Sequence, residues 1–237
     1  MHEHQTAHNQ PEQTGSTFNL NAHFIGPNPP TSFNPKSVMP TVAPTASIGP
    51  FSSVIGDVTV CENVFIAPNV SVRADEGSPF YIGAHTNLQD GVIVHGLAGE
   101  KVAHNGRQYS IYIGEHVSCA HGCIVHGPCK IGDRAFIGFH TVVMNCIIGE
   151  GCVLSPNVLV TGGVKLPPDR FVPAGTIVDT QEKADRLPPV PNNQVEFAQG
   201  VQNVNNAFPA AYALTFGSVK CSCGLACDRG TLKCIPE

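Results

Sequence analysis

Residues Ile113–Val143 read IGEHVS CAHGCI VHGPCK IGDRAF IGFHTV V when cut every sixth residue. Each block opens on an apolar residue: Ile113, Cys119, Val125, Ile131, Ile137 and Val143. Upstream the same frame runs through Val42, Ile48, Val54, Val60, Ile66 and Val72, then Ile82, Leu88 and Val94; downstream it takes in Ile148 and Leu154. Only Cys119 is not aliphatic, and a free thiol packs as a small hydrophobe. A small or β-branched residue stands four places after most block openings, as at Val58, Val64, Val70, Thr86, Val92, Val117, Ala135 and Thr141. A six-residue period of this kind is the signature of a parallel β-helix. Each block is a short strand and a corner, three blocks close a triangular coil, and coils stack about 4.8 Å apart. One coil cannot bury its apolar residues alone, so several must stack. The seventeen block openings supply between five and six coils.

The hexapeptide pattern resembles that of the known left-handed β-helices, and a left-handed turn is taken from that resemblance, against the usual right-handed crossover. The expected fold class is therefore all-β, a left-handed parallel β-helix of hexapeptide repeats with a C-terminal α-helix, assembled as a homotrimer.

The chain has 237 residues and a net charge of 13 − 18 = −5, which gives no footprint for nucleic acid or an anionic membrane. No apolar run is long enough to span a bilayer, and no basic segment followed by an apolar one marks a secretory signal. The ten cysteines form no evident secreted framework. Cys61, Cys119, Cys123, Cys129, Cys146 and Cys152 fall inside the repeats, so a reducing, cytoplasmic setting is expected.

Four segments follow. Residues 1–38, rich in Asn, Gln, His, Pro and Thr, read as a flexible leader. Residues 39–178 are the β-helix, residues 179–216 a helical segment, and residues 217–237 a tail with Cys221, Cys223, Cys227 and Cys234. The β-helix is interrupted at 76–81 and at 97–110, where Asn105-Gly106 predicts a hairpin turn. Residues 180–187 predict a short helix ended by Pro188-Pro189. Residues 193–214 carry Val195, Phe197, Ala198, Val201, Val204, Phe208 and Tyr212 at helical spacing, with Pro209 expected to kink or shorten the helix. That helix should run antiparallel to the coil axis and cover one face.

His95 and His126 each follow an inward residue, Val94 and Val125, and so point outward. If the excursion interrupts the Val94 block and Ser110-Ile111-Tyr112 completes it, Val125 sits one coil above Val94. His95 and His126 then become stacked neighbours on one outer face. His121 belongs to the preceding face and points away. Singly, each is an ordinary surface histidine; together they form a ligand set whose third member must come from a neighbouring subunit, which implies a three-fold arrangement. Three neutral imidazoles suit a catalytic Zn²⁺ with one position open to water.

Around them stand Arg73, Asp75 and Glu76 in RADEG, and Asn87, Gln89 and Asp90 in NLQDGVIVHG. With AHGCIVHGP, these segments resemble the γ-class carbonic anhydrases over residues 40–212. The short loop after His95 is similar to that in the β-helix domain of carboxysome scaffold proteins and their stand-alone relatives. The resemblance implies a homotrimer that reversibly hydrates CO₂ to bicarbonate through hydroxide on zinc, with Fe²⁺ or Co²⁺ able to substitute. Position by position, it implies His95, His121 and His126 as metal ligands and Gln89 as partner of the metal-bound solvent. It also implies Asn205 as orienting CO₂ or bicarbonate and Glu76 as moving protons. Arg73 and Asp90 match an ion pair across the subunit interface, which has a purely structural reading too, and Asn205 has the reading of an exposed helix residue. Asp75 and Asn87 are expected as structural or interface residues.

One departure stands out. The family's archetypal pattern has a proton-exporting glutamate three residues after the first histidine, and here that position is Ala98. Glu100 and His104 are the nearest titratable groups, and His104 is the expected relay. Two rival readings come from other classes. One is a carboxysome-type scaffold with weak, absent or redox-gated hydratase activity, binding carboxysome components. The other is a hexapeptide acyltransferase, which needs one general-base histidine and a coenzyme A site, and which three convergent histidines argue against. Carboxysome relatives carry a C-terminal thiol pair linked to activity, and Cys221 and Cys227 have a similar spacing.

Overall fold

A computed structural model describes residues 23–216. Every sixth-residue aliphatic from Val54 to Leu154 lies inside, each 0–1 % exposed. Residues on either side of an inward one point out, because side chains alternate along a strand. One face is a seven-stranded sheet in which Ser47–Ile48, Phe65–Ile66, Asn87–Leu88, Ser118–Cys119, Phe136–Ile137, Val153–Leu154 and Phe171–Val172 pair in parallel, coil on coil. The other two faces share a twelve-stranded sheet, since Ile124–Ile131 and Val142–Ile148 turn the corner without a break. Every pairing of the solenoid is parallel. Among the described residues the hairpin of Val102–His104 and Arg107–Tyr109 is antiparallel, as is an isolated bridge between Arg170 and Pro189. A solenoid of parallel strands closed by a helix is the all-β architecture expected from the repeat.

Corners are turned in the left-handed backbone region, which asparagine tolerates better than most residues. Asn63, Asn69 and Asn157 take φ of 53°, 60° and 59°. Phe51 takes φ 61° with its ring 67 % exposed, a conformation unfavourable for a bulky residue. At Gly122 the corner approaches the next coil so closely that a methyl group would lie 2.6 Å from His140 Nδ1.

Of the leader expected over residues 1–38, residues 23–38 are described and lie against the first coils. Phe24–Gly26 pairs in parallel with Ser53–Ile55 and extends the sheet. Asn28 is buried, its Oδ1 accepting from the Val38 N–H at 2.9 Å. Asn34 Nδ2 donates to the Ala74 carbonyl at 3.2 Å. An open first coil exposes an unpaired edge, and this segment covers it.

The excursion at 97–110 turns at Asn105 and Gly106, with φ of 47° and 75°, as a two-residue hairpin requires. It folds over the face carrying Tyr81 and Tyr112: His104 stacks on Tyr112 with centroids 3.8 Å apart, and Tyr109 packs edge-on to Tyr112 at 5.4 Å.

Two helices follow, α1 (Gln181–Asp185) and α2 (Asn192–Phe216). Thr180 caps α1, its hydroxyl accepting from the Lys183 N–H. In α2, Phe197 meets Phe136 of a later coil, while Phe208 and Tyr212 meet Phe65 of an earlier one, so the helix runs antiparallel to the coil progression. Pro209 does not end it; tertiary packing of Phe208 and Tyr212 on Phe65 holds the last turns in place despite the missing N–H. No helix among the described residues is long and apolar enough to cross a membrane.

Candidate metal centre

The strand ladder puts His95 directly opposite His126, as Val94 is opposite Val125. His95 Nδ1 lies 3.3 Å from His126 Nε2. Two nitrogens held at about 2.0–2.1 Å by one tetrahedral zinc are themselves about 3.3–3.4 Å apart. The outer nitrogens explain which atoms face each other. His126 Nδ1 sits 3.1 Å from the Gly127 carbonyl and His95 Nε2 sits 3.2 Å from Asp75 Oδ1. Both oxygens only accept, so in neutral rings these nitrogens carry the hydrogens and the facing pair presents two lone pairs. Lone pairs at this distance repel unless a cation lies between them. Ligating histidines commonly give their second N–H to a carboxylate or a backbone carbonyl, and both kinds of partner occur here. Arg73 steadies the carboxylate in turn, Nη1 donating to Asp75 Oδ2 at 2.8 Å.

Glu76 reaches the same place: its Oε1 accepts from the Ala98 N–H at 3.2 Å, and its Oε2 lies 3.9 Å from His95 Nε2. The backbone under these residues is tightly seated. Gly96 and Gly127, which follow the two histidines, both pack against the buried Ser110. A methyl group on Gly127 would lie 2.6 Å from the Ser110 carbonyl oxygen, and one on Gly96 would overlap the Ser110 hydroxyl.

His121 stands elsewhere, on the corner between this face and the seven-stranded sheet. Its ring is stacked on Phe139 at 5.7 Å and Nδ1 is 3.1 Å from Asp90 Oδ2. Among the described residues of one chain, no group of three His, Cys, Asp or Glu side chains is placed to hold an ion. His121 instead lines a groove of about 800 Å³ beneath α2, together with Gln89, Asp90 and Asn205 and an apolar wall that includes Phe65, Phe139 and Val201. Gln89 and Asn205 are 5 % and 7 % exposed, so Asn205 is not an exposed helix residue. Its Nδ2 donates back to the Val201 carbonyl at 3.0 Å. Gln89 Nε2 donates to Asn87 Oδ1 at 3.0 Å.

The expected residues thus divide into two clusters on either side of one corner. Arg73, Asp75, Glu76, His95 and His126 form one; Gln89, Asp90, His121 and Asn205 form the other, with Asn87 behind them. Within the chain Arg73 pairs with Asp75, and Asp90 with His121, rather than with each other. His104, the expected relay, lies with its ring flat on Tyr112 beside Lys130, and its buried Nδ1 has no hydrogen-bond partner among the described residues. Burial, with the Lys130 charge second, holds its imidazole below the ordinary histidine range. Repeat spacing missed the buried polar residues Ser110 beneath the histidine pair and Ser118 and Gln202 behind Asn87. The thiols Cys119, Cys123, Cys129, Cys146 and Cys152 are core residues, while Cys221 and Cys227 lie outside the described residues.

No family profile matches the chain. It is 41 % identical over 202 residues to the carboxysome assembly protein CcmM of Nostoc sp., covering 85 % of this chain and 36 % of that one. It is 42 % identical over 176 residues to a carbonic anhydrase of Methanosarcina thermophila, covering 70 % of this chain and 71 % of that one. The chain therefore spans about a third of the first relative's length and most of the second's. Among solved structures, a hexapeptide transferase family protein from Anaplasma phagocytophilum superposes with a TM-score of 0.60 at 27 % identity, covering 74 % of this chain and 93 % of that one. That likeness bears on the left-handed solenoid.

Proposed function

The chain belongs to the γ-class carbonic anhydrases, and from that premise we propose that it hydrates CO₂ to bicarbonate at a metal site shared between neighbouring copies of a homotrimer. The observation that carries this reading is the approach of His95 Nδ1 to His126 Nε2 at 3.3 Å while the outer nitrogen of each ring lies beside an acceptor oxygen. His95 and His126 of one copy and His121 of the next would hold the ion. Zinc bound there would supply the Lewis acidity for water to ionise near pH 7, and Fe²⁺ or Co²⁺ could take its place.

The chain's own groups do the rest. Gln89, nearly buried and fixed by Asn87, orients the nucleophilic water through its amide. Asn205 and the apolar wall of Phe65, Phe139 and Val201 hold CO₂ and exclude bulk water. The water oxygen bonds to carbon, a C=O π pair moves onto oxygen, and one proton leaves. Glu76, beside His95, accepts that proton and passes it to buffer. Arg73 and Asp90 are free to exchange their partners within the chain for each other across the interface. Stopped-flow CO₂ hydration, with metal analysis of protein purified aerobically and anaerobically, tests the reading. His95→Ala should lose both metal and activity, and unchanged turnover would refute it.

A second reading, a scaffold within the carboxysome, is favoured by the 41 % identity to a carboxysome assembly protein. The two are compatible. Capture of carboxysome components without measurable hydration would leave the scaffold alone standing.

A further inference from the structure

A chain of four buried side chains runs from the groove into the seam under α2: Gln89, Asn87, Ser118 and Gln202. Each link has a direction. Gln202 Oε1 accepts from Ser118 Oγ at 2.9 Å and from Asn87 Nδ2 at 3.1 Å. Gln202 Nε2 donates to Asn206 Oδ1 at 3.0 Å and to the His85 carbonyl. Asn87 Nδ2 also donates to Ser118 Oγ at 2.8 Å, and Asn87 Oδ1 accepts from Gln89 Nε2 at 3.0 Å. Gln202 is 5 % exposed, Ser118 2 % and Asn87 1 %.

A buried amide with both ends satisfied cannot turn over without losing its bonds, and each lost bond leaves a desolvated group. The His85 carbonyl is a pure acceptor, so it fixes which end of Gln202 is NH₂. Gln202 Oε1 is then a pure acceptor, and together with the more distant Val117 carbonyl, 3.5 Å from Asn87 Nδ2, it fixes the NH₂ end of Asn87. Asn87 Oδ1 is left facing Gln89, which fixes the amide of Gln89 in the groove. Gln202 is also one helical turn before Asn205 on α2, so a single side chain sets the register of the helix that carries Asn205.

We propose that Gln202 is a positioning residue for CO₂ hydration: acting through Ser118 and Asn87, it fixes the donor and acceptor ends that Gln89 presents to the reacting water. This rests on the hydratase reading above. Gln202→Met keeps the length and removes every polar contact. The expected result is a loss of kcat/KM of about tenfold or more, the range for outer partners of a metal site, with metal content unchanged because His95, His121 and His126 make none of these bonds. The same substitution in a Gln89→Ala background should then cost almost nothing further, because the residue through which it acts is gone. Multiplying losses would mark Gln202 as a mere fastening of the helix and overturn the proposal, as would full activity in Gln202→Met. A second readout needs no turnover. In the metal-free protein the Asn87 side-chain N–H signals should be protected from solvent exchange, and Gln202→Met should weaken the protection to what Ser118 Oγ and the Val117 carbonyl still give; unchanged protection overturns the orientation chain by itself. A wild-type protein that binds metal but hydrates no CO₂ would sink the hydratase reading, and with it the catalytic role of Gln202, while the exchange measurement still reports on the chain.

Discussion

Two inactive variants of this protein should restore one another. On the proposed trimer, the copy lending His95 and His126 is never the copy lending His121 to the same ion. His95→Ala destroys one half-site of its chain and leaves the other whole; His121→Ala does the reverse. Either variant alone has no complete interface. When the two are co-expressed in equal amounts and assort at random, an interface is complete only where a His121→Ala copy supplies His95 and His126 and a His95→Ala copy supplies His121. Each condition holds with a chance of about one half, so about one quarter of the interfaces are whole in a closed ring of identical contacts. Hydration activity and bound metal should both return to about a quarter of the wild-type value. Neither truncation should prevent assembly of the fold, since both rings lie outside the solenoid core, His121 with 53 % of its side chain exposed. Distinct affinity tags on the two variants would confirm mixed oligomers before stopped-flow and metal assays. Mixed oligomers with no activity would refute the shared site, and so would activity in either variant alone.

Three further outcomes follow from the same geometry. Gly96→Ala forces a methyl group onto the Ser110 hydroxyl beneath His95, so it should cost about 1–3 kcal/mol in denaturant unfolding and at least about tenfold in metal affinity; wild-type metal affinity would show that His95 does not depend on this seat. Ala98→Glu places a carboxylate beside Glu76, whose Oε1 already accepts from the Ala98 N–H, and should raise the steady-state rate in dilute buffer but not in concentrated buffer; no change would remove proton export as the consequence of Ala98. Burial, and then the Asp133 and Glu115 charges, push the Tyr112 phenol up to about 12, while the unfolded chain ionises at about 10. The folded state therefore keeps a proton that the unfolded state loses, so stability should fall as pH rises from about 10 to 12, and ultraviolet titration should find Tyr112 still protonated at pH 11.

The register of the whole solenoid was legible in the sequence because its period is fixed. Letting Ser110-Ile111-Tyr112 complete the Val94 block after the excursion predicts Val125 above Val94, and the strands pair that way, bringing His95 to His126. What lay outside the period was harder to read. Phe24–Gly26 has no hexad neighbours; only the open edge of the first coil explains why it pairs with Ser53–Ile55. The hairpin turn at Asn105-Gly106 was readable, but the face over which it folds was not, since that is decided by aromatic packing of His104 and Tyr109 on Tyr112. His104 was therefore expected near His95 and lies instead on the tyrosine face. Gln202 was missed because a helix is read by its apolar stripe. The available signal was the interruption of that stripe: between Val201 and Phe208 the inward positions are taken by Gln202 and Asn205, both buried.

The split of the site follows from the shape of the coil. A triangular prism is convex, so outward side chains on different faces diverge and cannot meet at a point. Two donors on the same column of one face can share an ion, because stacked strands are about 4.8 Å apart and short ring movements close the remaining gap, as His95 and His126 do at 3.3 Å. A third donor on that column would be two strand spacings from the first, too far for one tetrahedral ion, and the residues flanking the pair are Arg73 and Met144. Concavity has to be supplied from outside the prism. α2 supplies it for Gln89, His121 and Asn205 by roofing the groove. His95 and His126 do not line that groove, and on the proposed trimer the neighbouring copy brings the imidazole that completes the ligand set.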